Sequence, residues 1–522
     1  MIQQLSLKLP PQEAASDTAI TRQAATALGV RIKDITGFHI LKRSIDARSR
    51  QVYFILTLKV FVNEPFHERE RIIPKYDILP ASAPQVLIIG AGPAGLFAAL
   101  RLITSGIKPI VLERGRDVRT RRRDLAALNK QGEVNPESNY CFGEGGAGTY
   151  SDGKLYTRST KRGDVNRILG IFVHFGAAER ILYEAHPHIG TNKLPHIITA
   201  MREQIIASGG EVHFNEKVNS LLIDDGRVTG VQTAAGNNYK AQQVILATGH
   251  SARDIFEMLH QQQITIEAKA FALGVRVEHP QSLIDSAQYH CALRGDFLPP
   301  ASYSLVEQVA GRGVFSFCMC PGGIIAPAAT NPGELVVNGW SPSKRNNPYA
   351  NSGMVVTVDE TDFAPFADKG PLAAMYYQQM VERQAYQAGG GKFVAPAQRM
   401  TDFVKGKVSA TLPGCSYVPG VHSTDLRQVL PAAVSDRLAE AFKAFGRKMK
   451  GYYTDEAILV ATESRTSSPV RIPRDPDTLM HPQVKGLYPC GEGAGYAGGI
   501  VSAAMDGERV ADAAIRFFKP AL

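Results

Sequence analysis

From Ile2 to Leu9 apolar and polar residues alternate, the period of a half-buried strand. A helical period follows over Ala19 to Leu28, and two more strand-like runs cover Gly37 to Ile45 and Val52 to Val62. This predicts a small β-α-β-β module over residues 1–80, closed by the linker Pro80-Ala81-Ser82-Ala83-Pro84. The pattern then changes. Val86 to Ile89 is a short apolar run rich in β-branched residues, followed by Gly90-Ala91-Gly92-Pro93-Ala94-Gly95 and an alanine- and leucine-rich amphipathic stretch. A second apolar run, Ile110-Val111-Leu112, ends on Glu113. Strand, tight turn, helix, strand and terminal acid is the order of a dinucleotide-binding βαβ unit, whose ribose acid stands about 20 residues past the glycines.

Further along, His196 to Ala207 reads as a helix stopped by Gly209-Gly210, and Glu211 to Lys217 as a strand. Leu221 to Ile223 and Val228 to Thr233 form a hairpin about Asp225-Gly226, and Val244 to Leu246 returns to the parallel sheet before Ala247-Thr248-Gly249. From about residue 264 to 452 the strands look antiparallel, with helices near 371–388 and 432–449. The chain then comes back to a strand at Leu487-Tyr488-Pro489 and a helix over 499–518. The fold class expected is α/β: a Rossmann-like domain of parallel sheet plus β-meander in two segments, 84–262 and 454–522, with an α+β substrate domain inserted over 263–453 and the α/β module in front.

The pattern G-x-G-x-x-G occurs three times, at Gly90, Gly143 and Gly493. Only the first has a strand before it, a helix after it and a second strand ending on an acid, so it alone reads as a complete dinucleotide site. There Gly90 permits the turn, Gly92 admits a pyrophosphate, and Gly95 lets helix and strand approach, while the helix N-terminus offers free N–H groups and a positive dipole end. Pro93 and Ala94 belong to the same turn. The other two copies are auxiliary glycine loops.

Composition adds bounds. The chain has 522 residues, 44% hydrophobic, enough for two or three domains. Its most apolar uncharged run, Val86 to Leu100, is too short for a membrane span and is interrupted by glycines and a proline. No basic stretch followed by an apolar core opens the chain, and six scattered cysteines do not make a disulfide scaffold, so a cytoplasmic protein is expected. The net charge of +9 points to an anionic partner. In the densest basic run, Arg114 to Arg123, one or two arginines are expected to neutralise cofactor phosphates and the rest to form a solvated helix face. Nucleic acid binding is disfavoured, since no aromatic interleaving or reading module accompanies the charge.

FAD is longer than one Rossmann unit can hold, and flavoproteins of the glutathione-reductase type use a C-terminal strand, loop and helix for the flavin half. Gly491-Glu492 and Gly499-Ile500-Val501 stand where such a loop and helix start would lie. The runs Asn135 to Asn139, Phe142 to Leu155, Phe271 to His279, Phe317 to Gly323, Thr462 to Arg471 and the block from Gly486 resemble the bacterial uncharacterised FAD-dependent dehydrogenases, also labelled NAD-utilising dehydrogenases. The resemblance spans residues 84–522 and implies bound FAD and redox chemistry, with no substrate named. The cofactor residues expected are Gly90, Gly92, Pro93, Ala94, Gly95, Glu113, Arg114, Gly145, Gly146, Gly148, Thr149, Lys217, Val218, Thr248, Gly249, Gly491, Glu492, Gly499, Ile500 and Val501.

For catalysis Lys154 stands out, because a cation after the Gly145 to Gly148 loop could stabilise reduced flavin or an anionic substrate; simple packing over the loop is an equal rival. Arg465 and Arg471 could clamp a carboxylate, against an ion pair between domains. A redox role for Cys318 and Cys320 is disfavoured on the ground that strand alternation separates their side chains, and Cys141 lacks the C-x-x-x-x-C partner of disulfide reductases. His186-Pro187-His188 reads as a turn and not a metal site, and Gly389-Gly390-Gly391-Lys392 is not a phosphate loop. The function expected is an FAD-dependent oxidoreductase passing a hydride to or from flavin N5, with a small-molecule substrate and NAD(P)H as a transient donor. The alternatives are a flavin monooxygenase and a non-catalytic flavin-bound regulatory or nucleic-acid-associated protein.

Overall fold

The computed structural model describes residues 1–157 and 163–518. Residues 158–162 and 519–522, which fall in the two segments expected for the dinucleotide domain, lie outside the described residues.

The N-terminal module is as its periodicity predicts. Strands Ile2–Leu9 and Ile35–Asp46 flank Tyr53–Val62 in an antiparallel sheet. Helix Asp17–Leu28 starts where the Ser16 hydroxyl accepts the Ala19 N–H and stops at Gly29, whose φ of 67° is the left-handed conformation that ends helices. The central strand buries Phe54, Leu56, Leu58 and Val60 in the same apolar core as the substrate domain.

The dinucleotide domain is a five-stranded parallel sheet in the order Leu487–Pro489, Val244–Leu246, Gln85–Ile89, Lys108–Glu113, Glu211–Phe214. Strand Gln85–Ile89 is central and is buried on both faces, which is why its apolar residues run continuously instead of alternating. The meander Val218–Asp224, Arg227–Thr233, Asn238–Lys240 forms a separate antiparallel sheet. Helix Pro93–Ile103 crosses helix Ile500–Phe518 with backbones nearly touching: a Cβ on Gly507 would sit 2.1 Å from the Ala94 carbonyl oxygen. That crossing brings the N-termini of both helices to the same side of the sheet.

The inserted domain holds a seven-stranded sheet in the order Val306–Val309, Arg312–Cys320, Tyr349–Val358, Phe271–Pro280, Ile458–Glu463, Ala395–Arg399, Val421–Ser423. Helices Ala373–Ala388 and Ala432–Lys448 pack their apolar faces into its core. The boundary expected at residue 453 moves: Ile458–Glu463 pairs with Phe271–Pro280 inside this sheet. The chain leaves the domain only after Glu463, through the short pair Glu267–Ala268 with Val470–Arg471. The long connection after Glu113 also holds helix Val118–Gln131, which carries part of the arginine run, and helix Val165–His174, each capped by an aspartate side chain, Asp117 and Asp164.

A buried ion cluster joins the two larger domains. Arg253, on helix Arg253–Gln261, bonds Glu382 at 2.9 Å, Gln378 at 2.6 Å and Glu334 at 3.2 Å. Arg465 holds the other side of the same carboxylates, at 3.0 Å from Glu382 and 3.5 Å from Glu334. Burial pushes the Glu382 carboxyl up, but Arg253 and Arg465 outweigh it and bring it down to about 2 from the ordinary 4.5. A depressed carboxyl contributes stability that is present above about pH 4.5 and lost as pH falls towards 2. Glu382→Gln is expected to cost about 3–5 kcal/mol at pH 7, because it leaves two buried guanidinium groups short of a charge. In urea titrations run from pH 7 down, the gap to wild type should narrow below pH 4.5; a gap of the same size at both ends would remove the carboxylate from the account.

Candidate functional site

A cavity of about 380 Å³ lies between the dinucleotide domain and the inserted domain. Lys154 and Arg465 line it, as do all of the cofactor residues expected from sequence but Gly95, Gly145, Thr149 and Val501. Those four shape its walls from behind. A Cβ on Gly95 would fall 2.0 Å from the Gly90 carbonyl oxygen, so this glycine serves the helix-to-strand approach alone. Gly145 takes φ 77° and donates its N–H to Ala91 at 2.8 Å, joining the two glycine loops. Thr149 turns its hydroxyl inward to the Glu144 carbonyl, and Val501 is packed in the helix core.

Glu113 does more than its expected contact with ribose. One carboxylate oxygen accepts the Ala91 N–H at 2.9 Å; the other accepts Gly115 N–H at 2.8 Å and Gly143 N–H at 3.0 Å. Three of its roughly four acceptor positions are therefore taken by backbone, and the side chain, 5% exposed, ties the first glycine turn to the Gly143 loop. Arg121 completes this frame. Expected among the phosphate or solvent-facing arginines, it is fully buried and donates to the carbonyls of Asn139, Glu144, Tyr140 and Gly146 at 2.7–2.9 Å. Only Arg119, Arg122 and Arg123 of that run are exposed.

Arg114 and Lys217 do line the cavity, but neither is free for a phosphate. Arg114 bonds Glu137 at 2.7 Å and Asp254 at 2.8 Å and lies over the Phe142 ring, 4.2 Å from its centroid. Lys217 bonds the same two carboxylates at 2.9 and 3.3 Å. Burial alone would lift the Glu137 and Asp254 carboxyls, and the two cations hold both below their ordinary values. The square of two cations and two anions is a rigid wall at the Val218 end of the cavity.

The anion-binding feature left is backbone. Helix Pro93–Ile103 begins at Gly92 with no side-chain cap, and helix Ile500–Phe518 begins beside Gly499; both starts line the cavity. A Cβ on Gly92 or Gly499 would meet nothing within 4 Å, so the space a bulky ligand needs against both helix ends is open. This is the fit that a dinucleotide requires: a pyrophosphate against one N-terminus, a polarisable ring against the other, and acids at Glu113 and Glu492. Glu492 stands 3.4 Å from His250 Nδ1, and His250 Nε2 meets the Arg465 carbonyl at 3.1 Å. His250 directly follows Thr248-Gly249 and was not singled out from sequence; nothing in its local pattern separates it from a loop histidine.

The inserted domain supplies the remaining wall with Phe317, Cys318 and Asn338, opposite Lys154. Lys154 keeps 33% of its side chain exposed and bonds the Met319 carbonyl across the junction. Burial lowers its pKa, but Cys318, Cys320 and Asp152 more than compensate, so it stays a cation. Arg465 is placed differently from the clamp expected. Its guanidinium is taken up by Glu382, Glu334 and the Thr330 hydroxyl, so at the cavity edge it fixes the carboxylates that Arg253 reaches from the dinucleotide domain. Arg471 lies over the Tyr496 ring, 5.1 Å from its centroid.

The model of an FAD binding domain matches residues 83–131, that of the FAD dependent oxidoreductases residues 192–303, and one described as "FAD-dependent protein, C-terminal domain-like" residues 270–466. A domain of unknown function matches residues 1–61. An uncharacterized protein of Clostridium beijerinckii is 40% identical over 517 residues, 96% of each chain. Among solved structures, a flavoprotein/dehydrogenase from Cytophaga hutchinsonii aligns over 83% of this chain and 79% of its own at 10% identity and a TM-score of 0.38. The flavin-dependent brominase Bmp2 aligns over 84% and 80% at 12% identity and a TM-score of 0.36. The matched models and the fit of the cavity agree on the cofactor, which is FAD.

Gly92→Val tests the cradle. The φ of −77° at this position suits any residue, so the fold should be kept, with a thermal transition close to wild type. The added side chain should displace the pyrophosphate from the helix end, costing about 3 kcal/mol, the worth of one or two hydrogen bonds to a charged group, or roughly a hundredfold in FAD affinity by fluorescence titration. Unchanged affinity would place the phosphates elsewhere.

Proposed function

This chain belongs to the FAD-dependent protein family represented by its Clostridium beijerinckii relative, and from that premise we propose that it is a dehydrogenase or reductase of the glutathione-reductase-type arrangement, acting on a small anionic substrate in the cavity between its two larger domains. The observation that carries this reading is Lys154, a cation at the wall where both glycine loops, the start of helix Ile500–Phe518 and the inserted domain converge. Bound there, FAD supplies two-electron hydride chemistry at its N5.

The chain's own contribution is position and field. The Glu113 and Arg121 frame holds the glycine loops at fixed separation, so the cofactor meets a surface that is already organised. The unsatisfied N–H groups at the two helix starts favour negative charge on the cofactor. Lys154 attracts an anionic group of the substrate and orients it, and Phe317 covers the same wall with apolar surface. Among the described residues no second complete βαβ nucleotide unit accompanies the first, so NADH or NADPH would donate by entering this same cavity and leaving before the substrate binds.

An anaerobic visible spectrum before and after NADH or NADPH tests the donor. Bleaching of the flavin band is expected with one of them; a band that persists with both would assign the electrons to another source, and oxygen-dependent nucleotide consumption with a hydroxylated product would favour the monooxygenase. Lys154→Met should keep FAD content and slow reduction at limiting donor by about tenfold to a hundredfold, the loss of one charge-assisted contact of about 1.5–3 kcal/mol. Unchanged rates would reduce Lys154 to packing.

A further inference from the structure

Cys318 and Cys320 are not separated as the sequence reading expected. Residues two apart on a strand share a face, and here the strand is also bulged. Phe317 pairs with Gly353 and Cys320 with Asn351, so Cys318 and Met319 together oppose Ser352. Cys318 takes φ 46°, the left-handed region that non-glycine residues enter at a cost. Cations hold the bulge in place from two sides. Arg276 donates to the Cys318 carbonyl at 2.6 Å, and Lys154 donates to the Met319 carbonyl.

The result is a dithiol in a positive setting. The Cys320 thiol donates to the Cys318 carbonyl at 3.3 Å. Lys154 Nζ lies 3.9 Å from Cys318 Sγ and 3.8 Å from Cys320 Sγ, and Arg276 Nη2 lies 3.5 Å from Cys320 Sγ. Asp152 and Glu463 are the nearby acids, at 3.9 Å from Lys154 and 2.8 Å from Arg276. Cys318 faces the cavity and Cys320 is buried behind it. A metal-thiolate centre does not account for them, since among the described residues no group of three or more His, Cys, Asp or Glu is placed to hold a metal ion.

We propose that Cys318 and Cys320 form a redox-active pair that exchanges two electrons with the FAD in this cavity, Cys318 being the sulfur that meets a thiol or disulfide ligand entering beside Lys154. Closing the Cys318–Cys320 bond breaks two S–H bonds and releases two electrons and two protons, which oxidised FAD takes up; in the reverse direction reduced FAD returns them and the S–S bond opens. An entering anionic disulfide is attacked by the Cys318 thiolate; Cys320 then displaces the second half and closes the pair. The electrostatics fit this division. The neighbouring Cys320 thiol, then Lys154 and Arg276, draw the Cys318 thiol well below its ordinary value against burial, while the neighbouring Cys318 and burial push Cys320 up.

The inference rests on flavin occupying the cavity and not on a nicotinamide donor, and the test separates the two. The holoprotein is treated with oxidised glutathione, an anionic disulfide, freed of reagent, and titrated anaerobically with dithionite. Wild type should take up four electrons per FAD and Cys318→Ser two, while Cys320→Ser, lacking the thiol that displaces the second half, should retain glutathione on Cys318 as a mixed disulfide seen in its peptide mass. Peptide mass mapping of the treated wild type, which needs no variant to fold, should show the peptide carrying both cysteines lighter by two hydrogens. Lys154→Met should slow iodoacetamide alkylation of Cys318 at neutral pH by about tenfold, the effect of a rise of one pKa unit. Two-electron uptake by treated wild type, with both thiols still open to alkylation, would overturn the pair and leave the hydride reading intact. Four-electron uptake in a protein that neither NADH nor NADPH can reduce would keep the pair and remove the nicotinamide donor.

Discussion

The carboxylate of Glu113 is the point on which the cofactor site depends. It ends the second strand of the parallel sheet and accepts three backbone N–H groups, from Ala91, Gly115 and Gly143, that belong to three different turns. A buried carboxylate is costly unless its oxygens are bonded, and a glycine turn is loose unless something holds it. Each requirement meets the other here. Arg121 works in the same way from the opposite charge: its guanidinium gathers four carbonyls of the Asn139 to Gly146 stretch, using the acceptors that the tight turns leave over. Two charged side chains thus organise a glycine-rich surface that has no side chains of its own to do so.

A second constraint comes from the insertion. The inserted domain leaves the dinucleotide domain near residue 268 and returns near residue 470, so its strands are fixed at one place, the pairing of Glu267–Ala268 with Val470–Arg471. A hinge there would let the cavity open and close without limit. Arg253, Glu334, Glu382 and Arg465 act against that motion. They bring one residue of the dinucleotide domain and three of the insertion into a buried cluster whose charges cannot separate without entering low dielectric unpaired. Lys154 adds a smaller link through the Met319 carbonyl. The wall bearing Cys318 therefore stands at a set distance from the glycine loops.

What could be read from the sequence follows the range of the interactions involved. The βαβ unit at Gln85 to Glu113 was legible because strand, turn, helix and acid are all specified within about 30 residues, and the β-α-β-β module because strands Ile2–Leu9 and Tyr53–Val62 alternate along most of their length. The roles of Arg121, Arg465 and Cys318 were not legible. Arg121 looked like one more charge in a basic run, and nothing local shows that its helix is capped by Asp117 with this side chain turned in. Arg465 meets Glu382 across 83 residues of chain, and the bulge at Cys318 is set by pairing with a strand 35 residues away. The boundary at residue 453 failed for a related reason. Strand Ile458–Glu463 opens on the apolar run Ile458 to Ala461, which would suit either sheet; its antiparallel pairing with Phe271–Pro280 assigns it.

The distribution of cations decides how the site can select its ligands. The net charge of +9 suggested arginines waiting for phosphate, yet Arg114, Arg121, Arg253, Arg276 and Arg465 around the cavity are each committed to carboxylates or carbonyls of the protein. Charge spent in this way contributes little field to a ligand, because each guanidinium is offset by a partner within hydrogen-bond distance. Attraction of anions then falls to two helix starts and Lys154. A helix start acts only over its first turn, so an anion is drawn by Gly92 and Gly499 only at close range, and the shape of the cavity acts on a ligand before their charge does. Lys154 differs, since its nearest acid is 3.9 Å away and Asp152 is itself bonded to Arg345 at 2.7 Å. Its charge therefore reaches both the cavity and the two sulfurs beside it, at 3.9 and 3.8 Å, so a single side chain sets the field on either side of that wall.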